Sequence, residues 1–260
     1  MKLTRMIKQL LLLACVAPVL ALANESSVQL DHVEINPRNQ ESLQRGAQVF
    51  VNYCLSCHSA QAMRFNGLAD IGIPEEQIKA NMLFAADKVT DPMTVAMNGK
   101  EAKEWFGAVP PDLSVIARTK DNGADWLYTY LRGFYRDSSR PTGWNNKVFD
   151  KVGMPHVLWE LQGEQVAVYK TEKDHENKPH QVLEKLELVK PGLLTSLNDG
   201  KANTLEYDRK VTDLVNYLVW MGEPHQVFRE QLGYGVLFFL ILILLPFVYL
   251  LKQDYWKEVH

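Results

Sequence analysis

Cys54-Leu55-Ser56-Cys57-His58 decides the reading of this chain. Two cysteines three residues apart, followed at once by a histidine, form the pattern of covalent c-type haem attachment. On one helical turn the two thiols share a side and can reach both vinyl groups of one porphyrin. The imidazole that follows is then aimed at the iron as an axial ligand. Paired thiols have two other uses. A redox disulfide needs a surrounding strand–helix pattern, and half of a zinc site needs further Cys or His at a matching spacing. Neither is present.

The two ends of the chain say where that haem works. Lys2, Arg5 and Lys8 precede the apolar run Leu10–Leu22, and Ala21-Leu22-Ala23 is a small-residue cleavage site. Residues 1–23 therefore read as a secretory signal peptide of bacterial type, cut before Asn24. Leu12-Leu13-Ala14-Cys15 resembles a lipoprotein box, but the apolar run before it is too short. Cleavage removes Cys15 and leaves Cys54 and Cys57 as the only cysteines. At the other end, Leu232–Leu251 carries no charge and is long enough to cross a bilayer as a helix. Tyr234, Tyr249 and Trp256 suit the membrane interfaces, and Lys252 and Lys257 suit the cytoplasmic side. A buried core helix is the competing reading, disfavoured by an uninterrupted terminal run. The expected organisation is a periplasmic domain over 24–228, an inner-membrane anchor over 229–252 and a cytoplasmic tail over 253–260.

The formal charge of the 260 residues is −3, and loss of the leader takes it to −6. With no basic stripe, nucleic acid is excluded as a partner. An acidic exported redox protein suits a basic partner.

Within the domain, Asn36-Pro37 reads as a helix N-cap with proline at the first turn. Leu43, Ala47, Phe50 and Cys54 recur at helical spacing and deliver the motif. A last soluble helix is expected over Thr212–Gly222, with Asp213 near its start and Gly46 crossing it at Tyr217 or Leu218. Between them, Ala108–Arg118 reads as a rigid entry into a short helix, with Pro111 in its first turn, Asp112 near its positive end and Arg118 closing it. Arg118 is read equally well as a propionate partner or as a solvated surface group. A helix over Asp125–Arg132 is stopped by Gly133. Gly133–Gly153 reads as a long functional loop. Gln165–Lys170 and Val182–Val189 form a hairpin around the polar loop Thr171–His180.

A six-coordinate iron suits electron transfer, and a methionine opposite histidine raises the potential. The mature candidates are Met63, Met82, Met93, Met97, Met154 and Met221. Met63 follows His58 too closely, and Met221 sits on the stripe of the last helix. Met82, Met93 and Met97 suit core filling. Met154, at the end of the long loop and stiffened by Pro155, is the favoured ligand. His156 and a five-coordinate iron are the alternatives.

Together these pieces closely resemble the cytochrome c1 family, in its bacterial form, over nearly the whole mature chain. The resemblance is carried by Cys54–His58 with Met63-Arg64-Phe65-Asn66, by Pro110–Arg118, by Gly153-Met154-Pro155 and by Leu244-Leu245-Pro246-Phe247-Val248-Tyr249. It implies one covalently attached haem c, His58 and Met154 as axial ligands, Pro110 and Pro111 lining the haem, and Arg118 near a propionate. The chain departs from the family with Gly-Met-Pro-His where many relatives have Met-Ala-Pro-Pro. The implied fold is mainly α: a class I c-type cytochrome-like haem domain with a small β-hairpin insertion and one C-terminal transmembrane helix. The implied role is a relay of single electrons from a Rieske iron–sulfur protein to a soluble or membrane-attached cytochrome c, with cytochrome b beside the anchor and no catalysis by this chain alone. Two alternatives remain: a membrane-anchored cytochrome subunit of another periplasmic dehydrogenase or reductase, and a haem enzyme or gas sensor with an open iron.

Overall fold

A computed structural model describes residues 28–173 and 177–259; the expected leader lies outside the described residues. Helix α1 (Gln40–Val49) is capped by Asn39, whose side chain accepts from Ser42 N. Asn36, the expected cap, closes a turn instead, its side chain accepting from Arg38 N and its carbonyl from Asn39 N. Leu43, Ala47 and Phe50, spaced three or four apart, are fully buried. The helix passes into a wider π turn over Phe50–Cys54, closed by Leu55 N donating to Phe50 O.

Strand β1 (Ala60–Arg64), a 3₁₀ turn (Phe65–Ile71), α2 (Glu75–Asn81), β2 (Pro92–Met93) and α3 (Gly99–Phe106) follow. Next come α4 (Ile116–Thr119), α5 (Gly123–Arg132), β3 (Phe134–Arg136), β4 (Trp144–Asn146) and α6 (Trp159–Gln162). The long hairpin β5 (Gly163–Lys173) and β6 (Pro179–Pro191), the short pair β7 (Ser196–Asn198) and β8 (Lys201–Asn203), and helix α7 (Leu205–Gly222) complete the domain. All eight strands pair antiparallel two by two, so no central sheet exists among the described residues. The expected fold class is borne out: a helical domain with small hairpins and one long apolar C-terminal helix.

The core forms where α1 crosses α7. A Cβ on Gly46 would stand 2.1 Å from Asp213 O and 2.7 Å from Tyr217 Cβ. Only glycine admits that approach, which is the crossing expected at Tyr217, one turn tighter because it also involves Asp213. Arg45 clamps the same crossing, its Nε and Nη2 donating to the Asp213 carboxylate at 2.6 and 3.0 Å. Asn216 Nδ2 donates to Asn36 O and Ser42 Oγ, and its Oδ1 accepts from Asn36 N. The last soluble helix thus starts at Leu205, seven residues before the expected Thr212, and Asp213 is an interior tie rather than an N-terminal charge.

Three further expectations change. Pro110 and Pro111 lie in neither helix nor strand and the next helix begins only at Ile116, so Pro111 and Asp112 lie outside it. Asp112 instead closes a tight turn, accepting from Ser114 N. Gly133–Gly153 contains the hairpin β3–β4. The β5–β6 hairpin is longer at both ends than expected.

Helices α8 (Gln226–Phe239) and α9 (Leu245–Val259) join through a π turn, Leu240–Leu244, into one 34-residue helix long and apolar enough to cross a membrane. The π turn lies just before Pro246, where proline removes a helical N–H and crowds the preceding carbonyl.

Candidate haem site

Cys54 ends the π turn, and its carbonyl accepts from both Cys57 N and His58 N. That reversal brings Cys54, Cys57 and His58 to one wall of a cavity of about 320 Å³. The wall is overwhelmingly apolar. Pro110 and Pro111 line it, as do Leu127, Tyr130 and Leu131 of α5, Leu214 and Leu218 of α7, and Gly153-Met154-Pro155. Both cysteines are free thiols. Burial pushes the Cys54 thiol up to about 12, so it stays protonated.

His58 Nδ1 lies 2.7 Å from Pro111 O. A carbonyl only accepts, so Nδ1 carries the proton and Nε2 presents its lone pair. Burial lowers the imidazole pKa, with Pro111 and Asp112 working against it. The ring is thus held in one orientation and favours its neutral form, with Nε2 able to serve as a donor to a metal. Its carbonyl partner is itself held: Leu113 N donates to Ser59 O, Gln61 N to Asp112 Oδ2, and Ala62 N to Ser114 Oγ. The segment after the histidine is thereby stapled to the segment carrying Pro111. The Asp112 carboxyl is opposed by burial but held below its usual range by bonds from Ser114 and Gln61.

Of the six methionines weighed from the sequence, Met154 alone lines this cavity. Met63, Met82, Met93 and Met221 are buried in the core. Gly153 passes so close to the end of α3 that a Cβ would stand 2.5 Å from Phe106 O. The glycine before the methionine sets how deep the loop can sit. Tyr130 Oη donates to Met154 Sδ at 3.4 Å.

His156 does not line the cavity; it is 2% exposed and stacked on Phe134 with ring centres 4.8 Å apart. Burial pushes its imidazole down to about 3, so it is neutral. Arg118 does not line the cavity: Nη1 donates to Gly222 O at 3.4 Å and stands 3.7 Å from Glu223. Tyr130 and Trp126 escaped the sequence reading. Their signal was the stripe Trp126, Leu127, Tyr130, Leu131 on one face of α5.

Two thiols and a free Nε2 on one apolar wall, with a thioether in the same cavity, fit a c-type haem. Comparison with known proteins agrees. Residues 35–259 match the model of the Cytochrome C1 family. The chain is 45% identical to a cytochrome c1 of Allochromatium vinosum, over 94% of this chain and 95% of that one. It is 30% identical to a cytochrome c1 of Rhodospirillum rubrum over 92% of each. It is also 50% identical to a Nitrosomonas europaea protein named ammonia monooxygenase gamma subunit, over 98% of this chain and all of that one. With two thiols, an imidazole and a thioether around one apolar cavity and a family match over residues 35–259, this chain belongs to the cytochrome c1 family.

Proposed function

We propose that the chain is the haem subunit of a bacterial ubiquinol–cytochrome c oxidoreductase. In this role it relays single electrons from a Rieske iron–sulfur protein to a soluble or membrane-attached cytochrome c. One observation carries the reading: Cys54, Cys57, His58 and Met154 converge on a single apolar cavity. A haem bound there supplies a one-electron ferric/ferrous couple.

The protein's own groups each do a defined part. Cys54 and Cys57 would hold the haem through thioether links, and His58 Nε2 and Met154 Sδ would be the donors to its iron. Pro110 and Pro111 form a stiff wall, and the Pro111 carbonyl holds the imidazole in its donating tautomer. Arg118 would pair with a propionate through guanidinium donors that Glu223, 3.7 Å from its Nη1, leaves free. With His58 and Met154 both committed to the iron, small-molecule chemistry there would be shut out.

The helix Gln226–Val259 is the inner-membrane anchor, docked beside cytochrome b, with the haem domain in the periplasm and Lys252 and Lys257 on the cytoplasmic side. Tethering holds the domain at high local concentration near its donor.

Two measurements test this. Replacing Met154 with leucine should lower the potential and let the reduced protein bind carbon monoxide rapidly, while the natural protein stays low-spin with a weak methionine-to-iron band at the red edge. A high-spin natural protein would instead make it a haem enzyme or gas sensor. Detergent extraction and purification through this chain should bring cytochrome b and an iron–sulfur protein. The name of the Nitrosomonas europaea relative supports a second reading, a cytochrome subunit of another oxidoreductase. Co-purification of monooxygenase subunits, or of no partner, would favour it.

A further inference from the structure

The Tyr130 hydroxyl donates to Met154 Sδ at 3.4 Å, and its ring is gripped on two sides. Trp126 stacks on it with centres 4.8 Å apart and planes at 12°, and Phe134 meets it edge-on at 5.1 Å. The tyrosine is 9% exposed. A phenol buried this deeply needs an acceptor, and here the fold aims it at a thioether, a weak one.

We propose that Tyr130 is a positioning and tuning residue that raises the reduction potential of the site by hydrogen bonding to the Met154 sulfur. The proposal rests on Met154 being an axial ligand. Thioether sulfur has two lone pairs, so one can go to iron while the other keeps the Tyr130 proton. The O–H bond draws density from sulfur and makes it a poorer donor. Ferric iron needs that donation more than ferrous iron does, so the oxidised state is the more destabilised and reduction is favoured. On the histidine side the sign is opposite: Pro111 O accepts from Nδ1, enriches the imidazole and favours the ferric state. The site is thus set between a donor-enriching contact at His58 and a donor-depleting one at Met154. The phenolic proton stays on oxygen in both oxidation states, since an ordinary phenol ionises near pH 10. The ferric centre gains one electron to become ferrous and no proton moves.

The test is Tyr130→Phe in the purified holoprotein, which keeps the packing against Trp126 and Phe134. The equilibrium constant for reduction by a fixed one-electron partner should fall about two- to tenfold, the upper end being about 59 mV. The potential should remain independent of pH between 6 and 8, and the methionine-to-iron band should persist. An unchanged potential with that band intact overturns the proposal. Failure of the underlying ligand reading looks different: the natural protein lacks the band, or Met154→Leu leaves spectrum and potential as they were. Proton NMR of the reduced natural protein is an independent check that needs no variant. A slowly exchanging Tyr130 hydroxyl proton should show a nuclear Overhauser effect to the Met154 ε-methyl group, and its absence also overturns the proposal.

Discussion

Replacing Gly46 with alanine sets two predictable effects against each other. Alanine is the better helix former by about 1 kcal/mol, so propensity alone predicts a more stable protein. The crossing predicts the reverse. The new Cβ would lie 2.1 Å from Asp213 O, 2.7 Å from its carbonyl carbon and 2.7 Å from Tyr217 Cβ, where ordinary contact begins near 3.4 Å. Two of those atoms are helix backbone and cannot rotate away. The helices must part by about 1 Å at a point clamped by the Arg45–Asp213 pair. Overpacking of this kind costs about 1–3 kcal/mol, and a rigid backbone obstacle belongs at the upper end. After the propensity gain, a net loss of about 2 kcal/mol is expected, or a fall in Tm of about 4–8 °C for a domain of this size. Parting the helices also moves Leu214 and Leu218, which line the haem cavity. Thermal unfolding followed both by the haem Soret band and by far-ultraviolet circular dichroism should show the fall in both signals. A Tm equal to or above that of the natural protein would refute the close-crossing argument.

Three further outcomes are expected. Gly153→Ala should push Met154 away from its seat, because the added Cβ meets Phe106 O at 2.5 Å; the red-edge methionine band should weaken, and an unaltered band would count against it. Asn216→Leu should cost about 1–3 kcal/mol in urea unfolding, since it leaves the Asn36 N–H without its partner and takes from Asn36 O one of its two donors, Asn39 N remaining; a near-zero cost would refute the tie. His156 has its folded pKa lowered to about 3 by burial, so the unfolded chain binds the proton first as pH falls below about 6.5. Its stabilising contribution is complete above that pH and is lost on acidification, by about 1.4 kcal/mol per unit between pH 6 and 4. His156→Phe should flatten the stability profile by that slope, and parallel profiles would refute the assignment.

The parts of the fold legible in the sequence were those set by periodicity and by unique chemistry. Leu43, Ala47 and Phe50 marked the buried face of α1, Gly46 marked its crossing, and Cys54–His58 marked the haem wall. Met154 was separable from five other methionines because Met63 follows His58 too closely, Met221 sits on the last soluble helix, and Met82, Met93 and Met97 precede the Pro-Pro segment. What failed were choices between residues with equal local merit. Asn36 and Asn39 can both cap a helix, and the chain uses the first for a turn and the second for α1. Asp112 can cap a helix or close a turn; its bonds to Ser114 N and Gln61 N make it a strap, and α4 starts four residues later. Asp213 read as an N-terminal charge because its real partner, Arg45, lies 168 residues away. The phenol of Tyr130 was invisible for the same reason: its acceptor is 24 residues downstream.

The joint between α7 and α8 has a mechanical consequence. Only Glu223, Pro224 and His225 separate the helix that walls the haem cavity from the long apolar helix. Glu223 accepts from Arg229 Nε at 2.5 Å and stands 3.7 Å from Arg118, so one carboxylate links both sides of the joint. Such a connection has no slack. On the proposed membrane reading, the domain is a short, stiff lever whose angle is set at its base, and the distance from haem edge to bilayer is nearly constant. Reach must then come from the electron carriers that visit it, and lengthening the joint by a few flexible residues would alter transfer rates without touching the haem.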